Sequence, residues 1–175
     1  MKSVAVDLCN TVCDVNDCIE QMLHLKRESG KYKIEGVSPD YFRTNPEFFE
    51  NPIAYRYAAE VLHLLSKKYQ IVYLTARPME SCLATEHFLR KNNFPIGKIV
   101  HSTNKVEDFK KLDLYYAFDD SPEEILSYQR AGIPVLIKKW DYNEHLKGVF
   151  FEWEELYASL LKGEDIFRMN KAVSK

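Results

Sequence analysis

Lys2-Ser3-Val4-Ala5-Val6-Asp7-Leu8-Cys9-Asn10-Thr11 is the stretch whose reading decides the fold. A short apolar run, Val4 to Val6, stops abruptly at an acid, so Asp7 is the first residue to leave a buried strand at its carboxyl end. That edge is where open α/β sheets put their ligands. A carboxylate placed there can be a nucleophile, a metal ligand or both. Taken alone, the stretch reads equally well as an acid that caps a loop.

The same pattern returns twice. Ile71-Val72-Tyr73-Leu74 runs into Thr75-Ala76-Arg77-Pro78, and Leu114-Tyr115-Tyr116-Ala117-Phe118 runs into Asp119-Asp120-Ser121-Pro122. Adjacent carboxylates repel, and need a nearby cation or a bound proton. Asp120 or Ser121 before Pro122 also makes a helix cap, and the two readings are compatible. Apolar residues at helical spacing predict helices from Asp14 and Asn16 to Ser29-Gly30, from Asn51-Pro52 to Lys67-Lys68, and from about Met79 to Lys91. Further helices are predicted from Lys105 to Leu112, from Pro122 to Arg130, and around Trp153 to Leu161. Short strands fall at Ile99 to His101 and, as the last, at Ile133 to Ile137. Strands alternating with helices predict a three-layer α/β/α, Rossmann-like parallel sheet covered on both faces.

From Lys31 to Asn51 the periodicity is lost, and Tyr32, Tyr41, Phe42, Phe48 and Phe49 gather among Gly36, Pro39 and Pro46. This is a compact excursion, part helix and part loop, which either packs on itself or lies over a substrate. The charged tail from about Asp165 to Lys175 reads as loose.

With 175 residues, 46% apolar and 13% aromatic, the chain can bury one substantial core and a small insertion. A formal charge of -2 gives no field that would gather a nucleic acid polymer or an anionic membrane. Free nucleotides, held by local contacts, are not excluded. There is no charged-then-apolar leader and no apolar run near ~20 residues, so the expectation is a cytoplasmic protein, monomer or homodimer. Cys9, Cys13 and Cys18 lie close together, but C-x3-C and C-x4-C lack the second pair that zinc sites usually show, so separate reduced thiols are expected of them and of Cys82.

A carboxylate that attacks a phosphate needs a metal and cations around it, and these strand ends supply candidates. Asp7 would be the nucleophile. Asp7, Asp119 or Asp120 and a backbone carbonyl near Cys9 would bind Mg²⁺, because hard cations prefer oxygen. Lys105, at the start of a helix, and the Thr75 hydroxyl would hold phosphoryl oxygens. In type and order these residues resemble the haloacid dehalogenase superfamily hydrolases. Their four motifs are an Asp-x-Asp-x-Thr after the first strand, a Thr or Ser after the second, a Lys, and a closing acidic pair. Here they read Asp7-Leu8-Cys9-Asn10-Thr11, Thr75, Lys105 and Asp119-Asp120.

The resemblance implies a core of residues 1–11 and 52–175 and a small, mainly helical cap of residues 12–51 inserted after the first strand, over the site. Phe48-Phe49 just before Asn51-Pro52 resemble the deoxyribonucleotidase branch, where a helical cap presents aromatics to a base. The implied substrate side is then Phe48 and Phe49 with Thr75, Ala76 and Lys105. Thr75-Ala76-Arg77-Pro78 and Asp141-Tyr142-Asn143 are also similar to nucleotidases of that branch, while a sugar phosphate fits the sequence almost as well.

Cys9 departs from the family. A second Asp is usual there, protonating the leaving oxygen and later activating water. A thiol with pKa near ~8.5 is a weak donor and a poor base at neutral pH. Acid-base help is typically worth about 10²–10⁴ in rate. The main-chain carbonyl of residue 9 is unaffected. Three readings therefore stand: a slow or atypical Mg²⁺-dependent phosphohydrolase acting on a small phosphorylated metabolite, a related transferase or lyase, and a catalytically impaired protein that binds a phosphorylated ligand or a protein partner.

Overall fold

The computed structural model describes residues 1–167. In chain order the elements are β1 (Ser3–Val6), β2 (Cys13–Asp14), α1 (Val15–Leu23), α2 (Pro39–Thr44), a 3-10 turn (Pro46–Glu50) and β3 (Ile53–Ala54). There follow α3 (Ala58–Ser66), β4 (Gln70–Thr75), α4 (Cys82–Lys91), β5 (Lys98–His101), α5 (Lys105–Lys111) and β6 (Leu114–Asp119). The chain continues through α6 (Pro122–Arg130), β7 (Val135–Lys138), β8 (Val149–Phe151) and α7 (Trp153–Leu161). No helix among the described residues is long and apolar enough to cross a membrane.

Six parallel strands form the main sheet in the order β5-β4-β1-β6-β7-β8. Alternation along β1 explains its central place. Val4 and Val6 enter one core with Val61, Leu62, Trp153 and Leu156, and Ala5 enters the other with Phe109, Ile125 and Tyr128. Because β4 lies on one side of β1 and β6 on the other, the strand order reverses there, and a crevice opens at the carboxyl ends of these strands. Val6 is level with Tyr73 and Phe118. Asp7 and Asp119, one residue further on, and Thr75, two residues further on, therefore meet at one edge.

Between β1 and α3 the chain makes an excursion closed by a short antiparallel ribbon, with Cys13 opposite Ala54 and Asp14 opposite Ile53. Within it Phe42, Phe48 and Phe49 contact one another at centroid distances of 5.1 to 5.4 Å. This aromatic minicore supplies the ordering energy that the aperiodic segment lacks locally.

Four local expectations are corrected. Asn51-Pro52 does not open a helix. Asn51 closes the 3-10 turn with its N–H on the Phe48 carbonyl, β3 follows, and α3 begins only after Tyr57, which takes φ +66°. Pairing of β3 with β2 outweighs the local cap signal. The first helix ends at Leu23, with His24 left-handed at φ 56°, well short of Ser29-Gly30. A sixth strand, β8, follows the one taken as last, and its three residues are too short to show a period. The start of the tail is packed: Ile166 and Phe167 are buried, and the Phe167 ring meets Tyr69, Tyr116 and Phe118. The remainder of that tail, 168–175, lies outside the described residues.

Candidate active site

Asp7 leaves β1 with its N–H on the Phe118 carbonyl at 2.9 Å, which fixes the start of the loop that follows. Asn10 takes a left-handed conformation at φ 58°, and its side-chain oxygen accepts from the N–H groups of Val15 and Asn16 at 3.0 and 3.1 Å. This ties the loop to the start of α1. The chain's two tryptophans hold the loop from outside. Trp140 Nε1 donates to the Asn10 carbonyl at 2.8 Å, and Trp153 Nε1 to the Thr11 carbonyl at 2.7 Å.

Lys105 is buried at the start of α5, and its ammonium donates to Asp7 Oδ1 at 2.7 Å and to Asp119 Oδ2 at 2.8 Å. Asp119 Oδ1 accepts from the Ser121 N–H. Asp120 turns the other way. Its carboxylate accepts from Thr11 Oγ1 at 2.8 Å and from the Tyr142 hydroxyl at 2.5 Å. All three acids are buried, and ligand oxygens from each lie within 4.8 Å of one another.

Charge at such density is costly away from water. Burial pushes the Asp119 carboxyl up to about 7 against the opposing pull of Lys105. Burial, then Asp7 and Asp119, hold Asp120 well above the carboxylate range. Burial also works against the Lys105 charge, but Asp119 and Asp7 outweigh it and keep the ammonium well above its ordinary value.

A cavity of about 420 Å³ opens above these groups. Asp7, Cys9, Thr75, Ala76, Arg77 and Lys105 form its core side, and Ile19, Tyr32, Val37, Phe42 and Phe49 form the insert's side. Of the residues expected from sequence, Asp7, Cys9, Thr75, Ala76, Lys105 and Phe49 meet at this cavity, with Asp119 and Asp120 clustered beside Asp7. Phe48 does not belong to its wall: it is 1% exposed and packs within the aromatic minicore. Thr75 is fully buried at the end of β4, where its hydroxyl accepts from the Arg77 N–H at 3.3 Å.

The residue that sequence reasoning left without a role is Arg77. Its guanidinium is buried between the Phe49 and Phe88 rings, at 4.5 and 5.4 Å from their centroids. It donates to Cys9 Sγ at 3.3 Å, to Cys13 Sγ at 3.5 Å and to Thr85 Oγ1 at 3.2 Å. Among the described residues no carboxylate forms an ion pair with it. Burial raises the Cys9 thiol, and Arg77 opposes that rise. Its place in the run Thr75-Ala76-Arg77-Pro78, two residues past Thr75, was the available signal. Tyr142 and Asn143 were marked only by the likeness of Asp141-Tyr142-Asn143 to nucleotidases, and no local pattern tied them or Trp140 to the site, which they reach from 22 to 130 positions away.

In architecture this is a haloacid dehalogenase fold. The chain is similar to the Streptococcus pneumoniae hydrolase, haloacid dehalogenase-like family protein SP0104, with a TM-score of 0.61 and 13% identity over 91% of this chain and 98% of that one. No family model matches the chain. Among curated proteins it is 27% identical over 150 residues to the Oceanobacillus iheyensis protein named "Putative nucleotidase OB0422", covering 82% of this chain and 77% of that one. It is 26% identical over 170 residues to the Bacillus cereus protein named "Putative nucleotidase", covering 93% and 85%.

Proposed function

We propose that the protein is a Mg²⁺-dependent phosphohydrolase that acts on a small phosphorylated metabolite, a nucleotide or a sugar phosphate, through an aspartyl-phosphate at Asp7. One observation carries the reading: a buried carboxylate at the carboxyl end of the central strand, held by Lys105 at 2.7 Å, faces a cavity of about 420 Å³. Lys105 engages Oδ1, while Oδ2 receives only a long 3.4 Å contact from Thr11. Oδ2 is thus the oxygen available to attack phosphorus. The bond from phosphorus to the leaving oxygen breaks as the bond to Asp7 forms, and water then releases phosphate and restores the acid. Residues 12–51 serve as the cap, with Phe49, Phe42 and Tyr32 offering faces to a base or a sugar ring.

The donor set fits Mg²⁺. It consists of oxygen only, and three carboxylates against one ammonium leave two negative charges when all are ionised. Asp7, Asp119 or Asp120 and the Cys9 carbonyl would hold the ion. When bound, it supplies shielding between Asp7 and the phosphoryl oxygens. Lys105 and the Thr75 hydroxyl add donors to the phosphoryl group. The names of the two relatives support a nucleotide as substrate.

The proton that the leaving oxygen needs is the weak point, since Cys9 offers a thiol. The reading therefore favours a substrate with a good leaving group or its own proton source. The Cys9–Arg77 contact also favours a second reading, a binding protein for a phosphorylated ligand. A screen of phosphomonoesters at high protein concentration separates the two. Mg²⁺-dependent phosphate release that Asp7→Asn abolishes supports the enzyme. Turnover retained in Asp7→Asn removes Asp7 as nucleophile, and no release above buffer from any substrate supports the binding protein.

A further inference from the structure

Between β7 and β8 the chain makes a closed turn at Trp140, Asp141, Tyr142 and Asn143. The Trp140 N–H donates to Asn143 Oδ1 at 3.0 Å and the Asn143 N–H to the Trp140 carbonyl at 3.2 Å. Reciprocal bonds of this kind make a short turn rigid. Asn143 Nδ2 also donates to the carbonyls of Asp120 and Lys138, at 2.8 and 2.9 Å, so the turn is fixed to the ends of β6 and β7.

Successive side chains of this turn face different partners. Tyr142 is buried, and its hydroxyl donates to Asp120. Asp141 points to the insert. Its Oδ1 meets Arg27 Nη2 at 2.9 Å, and its Oδ2 accepts from the Gly30 N–H at 2.8 Å and from Ser29 Oγ at 3.1 Å. The same stretch of insert packs against the turn from above. Arg27 lies over the Trp140 and Tyr142 rings at 5.6 and 5.3 Å, and Tyr32, which lines the cavity, meets Tyr142 edge-on at 5.2 Å. A displacement of the insert therefore acts on the aromatic pair that ends at the Asp120 carboxylate.

We propose that Asp141 and Tyr142 are positioning residues that couple docking of insert residues 27–32 to the orientation of Asp120, so that Mg²⁺ binding and closure of the insert over the cavity are thermodynamically linked. This rests on the Mg²⁺ reading above. Coupling must be reciprocal: if closing the insert orders Asp120 for the ion, the ion must stabilise the closed insert by the same factor. Tyr142 touches a candidate ligand, whereas Asp141 touches none of the three acids. An effect of Asp141 on the ion is therefore the distinguishing observation.

The test uses the full chain and Mg²⁺ alone, without substrate. Binding is followed by the fluorescence of Trp140 and Trp153, both attached to the loop after Asp7, and insert closure by amide exchange at residues 27–32. Mg²⁺ is expected to slow that exchange. Asp141→Ala is expected to raise the Mg²⁺ dissociation constant about fivefold or more, the lower end of ordinary allosteric coupling. Asp141→Glu should recover part of the loss. Tyr142→Phe should weaken the ion as well, with less than multiplicative loss in the double variant, since the two act through one path. Wild-type affinity in Asp141→Ala, or exchange at 27–32 that Mg²⁺ leaves unchanged, overturns the coupling. If Asp7→Asn abolishes ion binding while Asp141→Ala binds the ion with wild-type affinity, the Mg²⁺ reading stands and the coupling falls. If the wild-type protein binds no Mg²⁺, both fall together.

Discussion

Cys9→Asp restores the carboxylate that the resemblance assigns to this position, and the structure decides how much that can achieve. The thiol it replaces sits 3.3 Å from Nε of a buried guanidinium that has no ion-paired carboxylate among the described residues. A carboxylate there gains charge-assisted hydrogen bonds, each worth about 1.5–3 kcal/mol. Those bonds oppose its own desolvation and its repulsion from Asp7, so the variant is expected to fold. Arg77 pulls the new carboxyl down against the burial and the Asp7 charge that raise a group at this position, as it does for the thiol. That favours the base form over the acid form. The gain then falls mainly on the step in which water is activated against the aspartyl-phosphate, and less on protonation of the leaving oxygen. For a substrate with a good leaving group, such as nitrophenyl phosphate, hydrolysis of the intermediate limits turnover, and kcat should rise about 10²-fold, the lower end of acid-base catalysis. For an alkyl phosphate the rise should be smaller. Rapid-mixing assays supply the second measurement: the wild-type protein should show a burst of nitrophenol, and the variant should lose it. If Mg²⁺ binding and the fold are intact and neither rate nor burst changes, residue 9 does not occupy the acid-base position, and the proposed role for it is wrong.

The acidic cluster also predicts a pH dependence. Burial raises Asp119 from 3.8 to about 7, so between those values the folded protein keeps a proton that the unfolded chain has lost. Stability of the metal-free protein should therefore fall as pH rises from about 4 through 7, by on the order of a few kcal/mol, and Mg²⁺ should flatten the dependence. Thermal melts with chelator and with Mg²⁺ test this, and a metal-free stability that rises over the interval contradicts it. Phe48 and Phe49 should separate by phenotype. Phe48→Ala leaves a hole in the aromatic minicore and should cost about 3–5 kcal/mol in denaturant melts with KM unmoved. Phe49→Ala, on the cavity wall, should raise KM as well, and an equal KM in the two variants would remove Phe49 from the substrate site.

The parts legible in the sequence are those in which a candidate site residue stands at the end of an apolar run. Asp7, Thr75 and Asp119 follow buried strands, and a parallel sheet with β1 at the strand-order reversal brings such ends together without further information. Lys105 was legible by its place at a helix start, where Asn104 caps α5 through a bond to the Glu107 N–H. Local signals failed where a distant partner decided the outcome. The Asn51-Pro52 cap lost to pairing with Cys13 and Asp14, and the turn at residues 140–143 acquires its meaning only from Asp120 and from the insert. Cys9 shows the same limit most clearly. In sequence it is an acid removed, a loss of chemistry and nothing else. In the fold it lies against Arg77, a buried guanidinium on the cavity wall with which no carboxylate among the described residues forms an ion pair. On the proposed reading, a thiol that weakens acid-base catalysis also leaves the Arg77 charge at the cavity for a phosphoryl group. A slow hydrolase and a phosphoryl-binding protein are then expected from the same residue, and the rate and burst of Cys9→Asp decide between them.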